Sequence, residues 1–254
     1  MASLSLQRVS VDFGGLRAVN QLTLTAASGR IKGVIGPNGA GKTTLFNAIS
    51  GFVKPSEGTV SLEGHDITTL AAHERATLGL ARTFQNLQLI PEMSLLENVM
   101  LGAHAHLQSG WLSNLLGRSR QEELEAEALA HEQLTLLGLE DRAHVRAADL
   151  GFADAKLLEI ARALAARPKV LLLDEPIAGV PLEDQNRIVE VVRAINATGV
   201  TIVLVEHNMR VVMRLCDDIL VMHHGAWLAE GAPAEVSRDP TVVAAYLGTE
   251  GVHA

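Results

Sequence analysis

The feature that most constrains this chain is the stretch Gly36-Pro-Asn-Gly-Ala-Gly-Lys-Thr43, which fits the pattern G-x-x-x-x-G-K-[ST]. Its glycines let the main chain wrap an anion so that successive N–H groups point inward. Lys42 supplies positive charge to the β- and γ-phosphates of a nucleotide, and the Thr43 hydroxyl can ligate Mg²⁺. The apolar run Ile31–Ile35 reads as a strand entering the motif, and Thr43–Ser50 reads as a helix leaving it, stopped by Gly51. That helix turns its positive N-terminal end towards the same phosphates. A chance match in a chain of this length has a probability of roughly one in a hundred, and the strand–loop–helix setting lowers it further. The candidate nucleotide-binding residues are therefore Gly36, Pro37, Asn38, Gly39, Ala40, Gly41, Lys42, Thr43 and the adjoining Thr44.

A second signal lies far downstream, where Val170-Leu-Leu-Leu173 runs into Asp174-Glu175-Pro176. A buried strand would deliver both carboxylates at its C-terminal edge, where open α/β sheets bind ligands. Asp174 is suited to hold Mg²⁺, mostly through water, and Glu175 to orient and polarise an attacking water. Gln85 follows Arg82-Thr83-Phe84, and its amide could ligate the metal or position water. His207 follows the run Val200–Val205 and Glu206, where an imidazole could reach a γ-phosphate.

The surrounding pattern divides in three. Early strand-length runs at Leu4–Val11, Leu22–Thr25, Ile31–Ile35 and Thr59–Leu62 are separated by turns at Gly14-Gly15, Ser28-Gly29 and Glu57-Gly58. The middle, from about 87 to 164, carries helical signals, chiefly Gln121–Leu137 and Ala155–Ala166, and reads as a helical lobe. Beyond it, Val170–Leu173, Val200–Val205 and Ile219–Met222 read as strands alternating with helices at Glu183–Ile195 and Asn208–Leu215. This alternation predicts a largely parallel sheet covered by helices.

Composition excludes several classes. With 254 residues and 48% apolar content the chain can bury a full core. Lys and Arg number 21 against 29 Asp and Glu, a net charge of −8 that lacks the basic footprint of a nucleic-acid binder. The single cysteine, Cys216, permits no intrachain disulfide and fits a reducing compartment. The first residues lack a signal-peptide layout, and no apolar run approaches the ~20 residues of a spanning helix. Any work at a membrane is expected to go through a partner.

The order of Gly36–Thr43, Gln85, Asp174-Glu175 and His207 resembles the nucleotide-binding subunits of ABC transporters over essentially the whole chain. Ala81–Ser94 followed by Leu95-Leu-Glu-Asn98, the stretch Leu158–Leu164, Ala229–Val236 and the tail Ala245–Gly248 resemble the branched-chain amino acid importers. The resemblance implies one α/β P-loop nucleotide-binding domain over 1–254, with an antiparallel N-terminal part and an inserted helical lobe at about 87–164. It implies hydrolysis of ATP with Mg²⁺, permease subunits, a second ATPase, an indirectly engaged solute-binding protein and a place on the cytoplasmic face of the inner membrane. It makes Phe13 the aromatic that stacks on adenine, beside the plainer reading of a core or turn residue. A nucleotide-binding subunit with impaired turnover, and an ABC-type ATPase outside transport, stay open as alternatives.

Two places depart from that family. Its signature is Leu-Ser-Gly-Gly-Gln, or in this branch Leu-Ser-Tyr-Gly before Gln or Asp, whereas this chain has Leu150-Gly-Phe-Ala-Asp154. Pro181 stands where Asn is usual. The departures predict an asymmetric pair with a non-identical ATPase whose signature is intact. Asp154 either brings negative charge towards the partner's nucleotide or caps the following helix. His104 with His106, and His223 with His224, read as surface residues rather than metal ligands. Trp111 and Leu112 read equally as local core or as an apolar patch for a membrane partner.

Overall fold

The computed structural model describes residues 2–85, 87–103 and 119–250; His104, His106, Trp111 and Leu112 lie outside the described residues. Two sheets organise the chain. An antiparallel sheet of order β2-β1-β4-β5 is formed by β1 (Ala2–Phe13), β2 (Leu16–Ala27), β4 (Glu57–Leu62) and β5 (His65–Asp66). A six-stranded sheet of order β10-β9-β3-β8-β7-β6 contains β3 (Ile31–Ile35), β6 (Leu80–Arg82), β7 (Val170–Asp174), β8 (Thr201–Val205), β9 (Asp218–His223) and β10 (Ala226–Gly231). All pairings in this second sheet are parallel except that of β10.

The central strands are buried along their whole length, which requires cover on both faces. Alternate side chains supply it. Val34, Val170, Leu172, Val203 and Val205 join one core with the antiparallel sheet and with α1 (Lys42–Ser50) through Leu45, Phe46 and Ile49. Ile35, Leu171, Leu173, Ile202 and Leu204 face the other core, built with α3 (Leu95–Ala103), α4 (Ser119–Leu136), α5 (Phe152–Leu164), α6 (Leu182–Ala197) and α7 (Met209–Leu215). The short α2 (Ala72–Thr77) and the C-terminal α8 (Pro233–Val236) and α9 (Pro240–Glu250) complete the α-helices among the described residues.

The expected strands and helices are present, several with shifted ends. One boundary is wrong: Glu57-Gly58 is no turn but the start of β4. Gly58 has φ +83, and a Cβ there would lie 2.3 Å from the Arg8 carbonyl oxygen, beside a break in the β1–β4 register. Only glycine fits such a bulge without strain. The short β6 and β10 carry weak periodicity and were not legible, so β9 was read without its hairpin partner.

Candidate nucleotide site

Parallel β3, β8, β7 and β6 deliver their C-terminal ends to one edge of the sheet. There the chain continues into Gly36, Glu206-His207, Glu175 and Thr83–Gln85 respectively. The topology thus collects four sequence signals on one side.

The loop Gly36–Gly41 is shaped by contacts as well as by dihedrals. A Cβ at Gly41 (φ +94) would fall 2.4 Å from the Ala18 carbonyl oxygen, and one at Gly36 would fall 2.2 Å from that of Met222. The β1–β2 hairpin and the β9–β10 turn thus press against the loop from behind. Helix α1 leaves it with no side-chain cap on its first turn, so its leading N–H groups face the cleft. Lys42 Nζ donates to the carbonyls of Gly36 at 2.7 Å and Pro37 at 2.9 Å. Burial holds the Lys42 pKa below the usual lysine range, partly opposed by the charges of Glu175 and Asp174.

A cleft of about 570 Å³ opens over this loop, lined by Asn38–Thr44, Phe13, Gln85 and Glu175. Phe13 is half-exposed on its rim. Leu16, Arg17 and Ala18 of the hairpin and His224 and Gly225 of the β9–β10 turn also line it. Sequence reasoning missed these five, because nothing local marks them and His224 reads as surface. Gly36 and Pro37 do not line the cleft; they hold Lys42.

Glu175 sits just beyond β7 with φ +49, a left-handed conformation that costs a non-glycine residue roughly 1 kcal/mol. Its N–H is held by the Val205 carbonyl at 2.9 Å, and Gln85 Nε2 donates to its Oε2 at 3.2 Å. His207 lies outside the cleft lining and is 60% exposed, with Nδ1 3.8 Å from Glu175 Oε1. Behind it, Glu206 is fully buried and accepts N–H groups from Ile177 at 3.1 Å, His207 at 3.2 Å and Asn208 at 3.4 Å. Burial raises the Glu206 pKa against those bonds.

Asp174 is buried and does not line the cleft. Its Oδ2 pairs with Arg82 Nη2 at 2.8 Å. Arg82 also donates to Asn47 Oδ1 at 2.7 Å and Ser50 Oγ at 2.9 Å, and lies over the rings of Phe84 and Phe46. Strands β6 and β7 are so tied to the loop's own helix. Arg75, fully buried, caps the other end of that helix by donating to the carbonyls of Ala48 and Ile49 at 2.7 and 2.6 Å, a favourable place for a cation.

The altered signature begins α5, with Gly151 at the N-cap and no side-chain cap bond. The capping role expected as one option for Asp154 is not seen. Its carboxylate instead pairs with Arg142 and, at 2.6 Å, with Arg187. The negative charge is taken up within the chain.

Among the described residues no three His, Cys, Asp or Glu converge to hold a metal, and no helix is long and apolar enough to cross a membrane. The fold and the loop define a nucleotide-binding cassette. The profile of the family described as "ABC transporter" matches residues 19–178, and that of "Branched-chain amino acid ATP-binding cassette transporter" matches residues 228–252. The chain is 39% identical over 248 residues to the high-affinity branched-chain amino acid transport ATP-binding protein LivG of Salmonella typhimurium, covering 96% of this chain and 97% of that one. BraF of Pseudomonas aeruginosa, described in the same words, is equally similar over the same coverage. A crystal structure of the ADP conformation of an ATP-binding cassette superposes with a TM-score of 0.86 at 35% identity, over 98% of this chain and 99% of that one. This chain belongs to the ABC transporter family, as an ATP-binding subunit of the branched-chain amino acid branch.

Proposed function

We propose that this chain hydrolyses ATP to drive a membrane permease that imports branched-chain amino acids or closely related solutes. The observation that carries the reading is the convergence of Lys42, Thr43, Gln85 and Glu175 on one cleft beside Phe13. The names borne by its relatives supply the solute class.

In this reading the phosphates lie on the N–H groups of Gly39, Gly41 and Lys42 and the open first turn of α1. Lys42 leaves the Gly36 and Pro37 carbonyls to meet them. Phe13 stacks on the base. The Thr43 hydroxyl, the Gln85 amide and, through water, the Asp174 carboxylate are the oxygen donors that Mg²⁺ favours, and it needs few of them because it keeps water and substrate phosphates as ligands. Bound there, Mg²⁺ neutralises phosphate charge. Glu175 takes the proton of the attacking water, Gln85 orients that carboxylate, and His207 swings the short distance to the γ-phosphate. Arg82 holds Asp174 at its post.

A second groove of about 390 Å³ lies between Phe52, Phe84, Leu101 and Arg162. Its apolar wall, with Phe52 and Leu101 exposed, suits docking of a permease segment. The pairing partner is a different ATPase with an intact signature, since Gly151 offers no hydroxyl and Ala153 lacks the glycine expected beside a phosphate. The active site formed with this chain's Lys42 and Glu175 turns over, and the other is slow.

Reconstitution with the permeases, the companion ATPase and the solute-binding protein tests this. ATP hydrolysis stimulated severalfold by leucine-, isoleucine- or valine-loaded binding protein is expected. Hydrolysis indifferent to every such solute would sink the solute assignment. Brisk cooperative hydrolysis by this chain alone as a homodimer would sink the asymmetry.

A further inference from the structure

The β9–β10 hairpin closes through two residues, His224 and Gly225, between the paired His223 and Ala226. Both stand at positive φ, +49 and +78. That is the pattern of a type I′ turn, whose first position usually holds Asn, Asp or Gly. A turn that only reversed the chain would be served by Asn-Gly and gains nothing from an imidazole.

This turn is held from two sides. The Gly225 N–H donates to the Ala40 carbonyl of the phosphate loop at 3.1 Å, and the Gly225 carbonyl accepts the Asn20 N–H of β2 at 2.8 Å. A Cβ at Gly225 would lie 2.6 Å from the Ala18 carbonyl oxygen, and one at Gly41 would lie 3.5 Å from the Gly225 Cα. The turn is thus wedged between the phosphate loop and the β1–β2 hairpin that carries Phe13. From it the exposed His224 lines the cleft together with Phe13, Ala40, Gly41 and Lys42. The charged groups around it are engaged or lie further along the cleft. Arg17 of the hairpin pairs with Asp12 at 2.8 Å and Glu57 at 3.3 Å. Lys42 is on the Gly36 and Pro37 carbonyls, and Glu175 lines the same cleft. On its own strand, the His223 ring stands 4.0 Å from that of His224 between centroids.

We infer that His224 is a nucleotide-binding residue, whose protonated imidazole donates a hydrogen bond to the α-phosphate where the nucleotide runs from the loop to Phe13. This rests on the nucleotide site proposed above. A polyanion in the cleft favours the imidazolium over the neutral ring, and in the imidazolium both ring nitrogens donate. Imidazole is the side chain that ordinarily titrates between about pH 5 and 8. The contact therefore makes nucleotide affinity fall as pH rises through that range.

The test is equilibrium titration of the full chain with ATP and with ADP, for the parent and for His224→Gly, at about pH 6 and about pH 8. Glycine takes this positive φ without strain, so the turn is kept and only the side chain is lost. His224→Gly should weaken ATP and ADP by the same factor, at least fivefold at the lower pH and clearly less at the higher. Comparison with the parent at each pH cancels the titration of the nucleotide's own terminal phosphate. Affinity within twofold of the parent at the lower pH, or an equal loss at both, overturns the inference. A loss for ATP that spares ADP places the contact at the γ-phosphate and overturns it too. A parent chain that binds neither nucleotide overturns instead the site on which the inference stands, and the inference with it. Should His224→Gly fail to fold, His224→Asn takes its place, since Asn suits the same turn position and carries no charge at either pH; the same direction is expected and the same results overturn it.

Discussion

The carboxylate of Asp154 lies 2.6 Å from the Arg187 guanidinium and also pairs with Arg142. The first turn of α5 is thereby anchored to α6, the helix that follows Glu175. Putting in the glutamine that the family also carries at this position is accordingly not a neutral change. Asp154→Gln should lower the thermal unfolding midpoint by a few degrees, corresponding to roughly 1 kcal/mol for two partly exposed pairs. An unchanged midpoint would show that the anchor contributes nothing.

Gly151→Ser behaves differently. A Cβ at Gly151 meets nothing within 4 Å, and its φ of −66° and ψ of 159° suit an N-cap serine. The substitution should leave the fold intact and raise turnover of the assembly at the site this helix offers to the partner. Equal turnover with and without the hydroxyl would remove the case that Gly151 impairs that site.

Lys42→Ala should weaken ATP binding at least thirtyfold, or roughly 2 kcal/mol, the scale of a hydrogen bond to a charged group. Equilibrium titration with a labelled ATP analogue measures it. Parent-like affinity would mean that the loop does not hold phosphate.

Glu175→Gln should bind ATP and nearly abolish hydrolysis. The amide keeps the shape of the side chain and can still contact Gln85 and water, but it accepts no proton. Single-turnover hydrolysis in the complete assembly decides, and an unchanged rate would dismiss Glu175 as the base.

Cys216 should stay unreactive towards thiol reagents at pH 8 until the chain unfolds. Burial, with the nearby charges of Asp217, Glu206 and Asp218, pushes its thiol up from 9.0 to about 12. The folded state thus favours the neutral thiol, and this contribution to stability is present below pH 9 and lost as pH rises towards about 12. Cys216→Ala should flatten that alkaline decline. Rapid labelling of the folded chain would contradict the burial.

Phosphate-loop chemistry was legible because it is local. From Gly36 to Thr43 the residues that wrap an anion are consecutive, so their spacing alone carries the geometry. Strands β3, β7 and β8 were legible for a similar reason: each is a short apolar run that only a covered sheet can bury. From these the sequence by itself determined the fold class, a candidate loop for the nucleotide and the likeness to a family. Tertiary structure decided the rest. Arg82 finds Asp174 across 92 positions, Arg75 caps α1 from 26 and 27 positions away, and Arg187 reaches Asp154 across 33. His224 lines the cleft only because β9 lies beside β3. Such pairings have no period and no fixed spacing. They are set by which elements pack together, and a charge buried at that contact takes whatever partner the packing brings within reach.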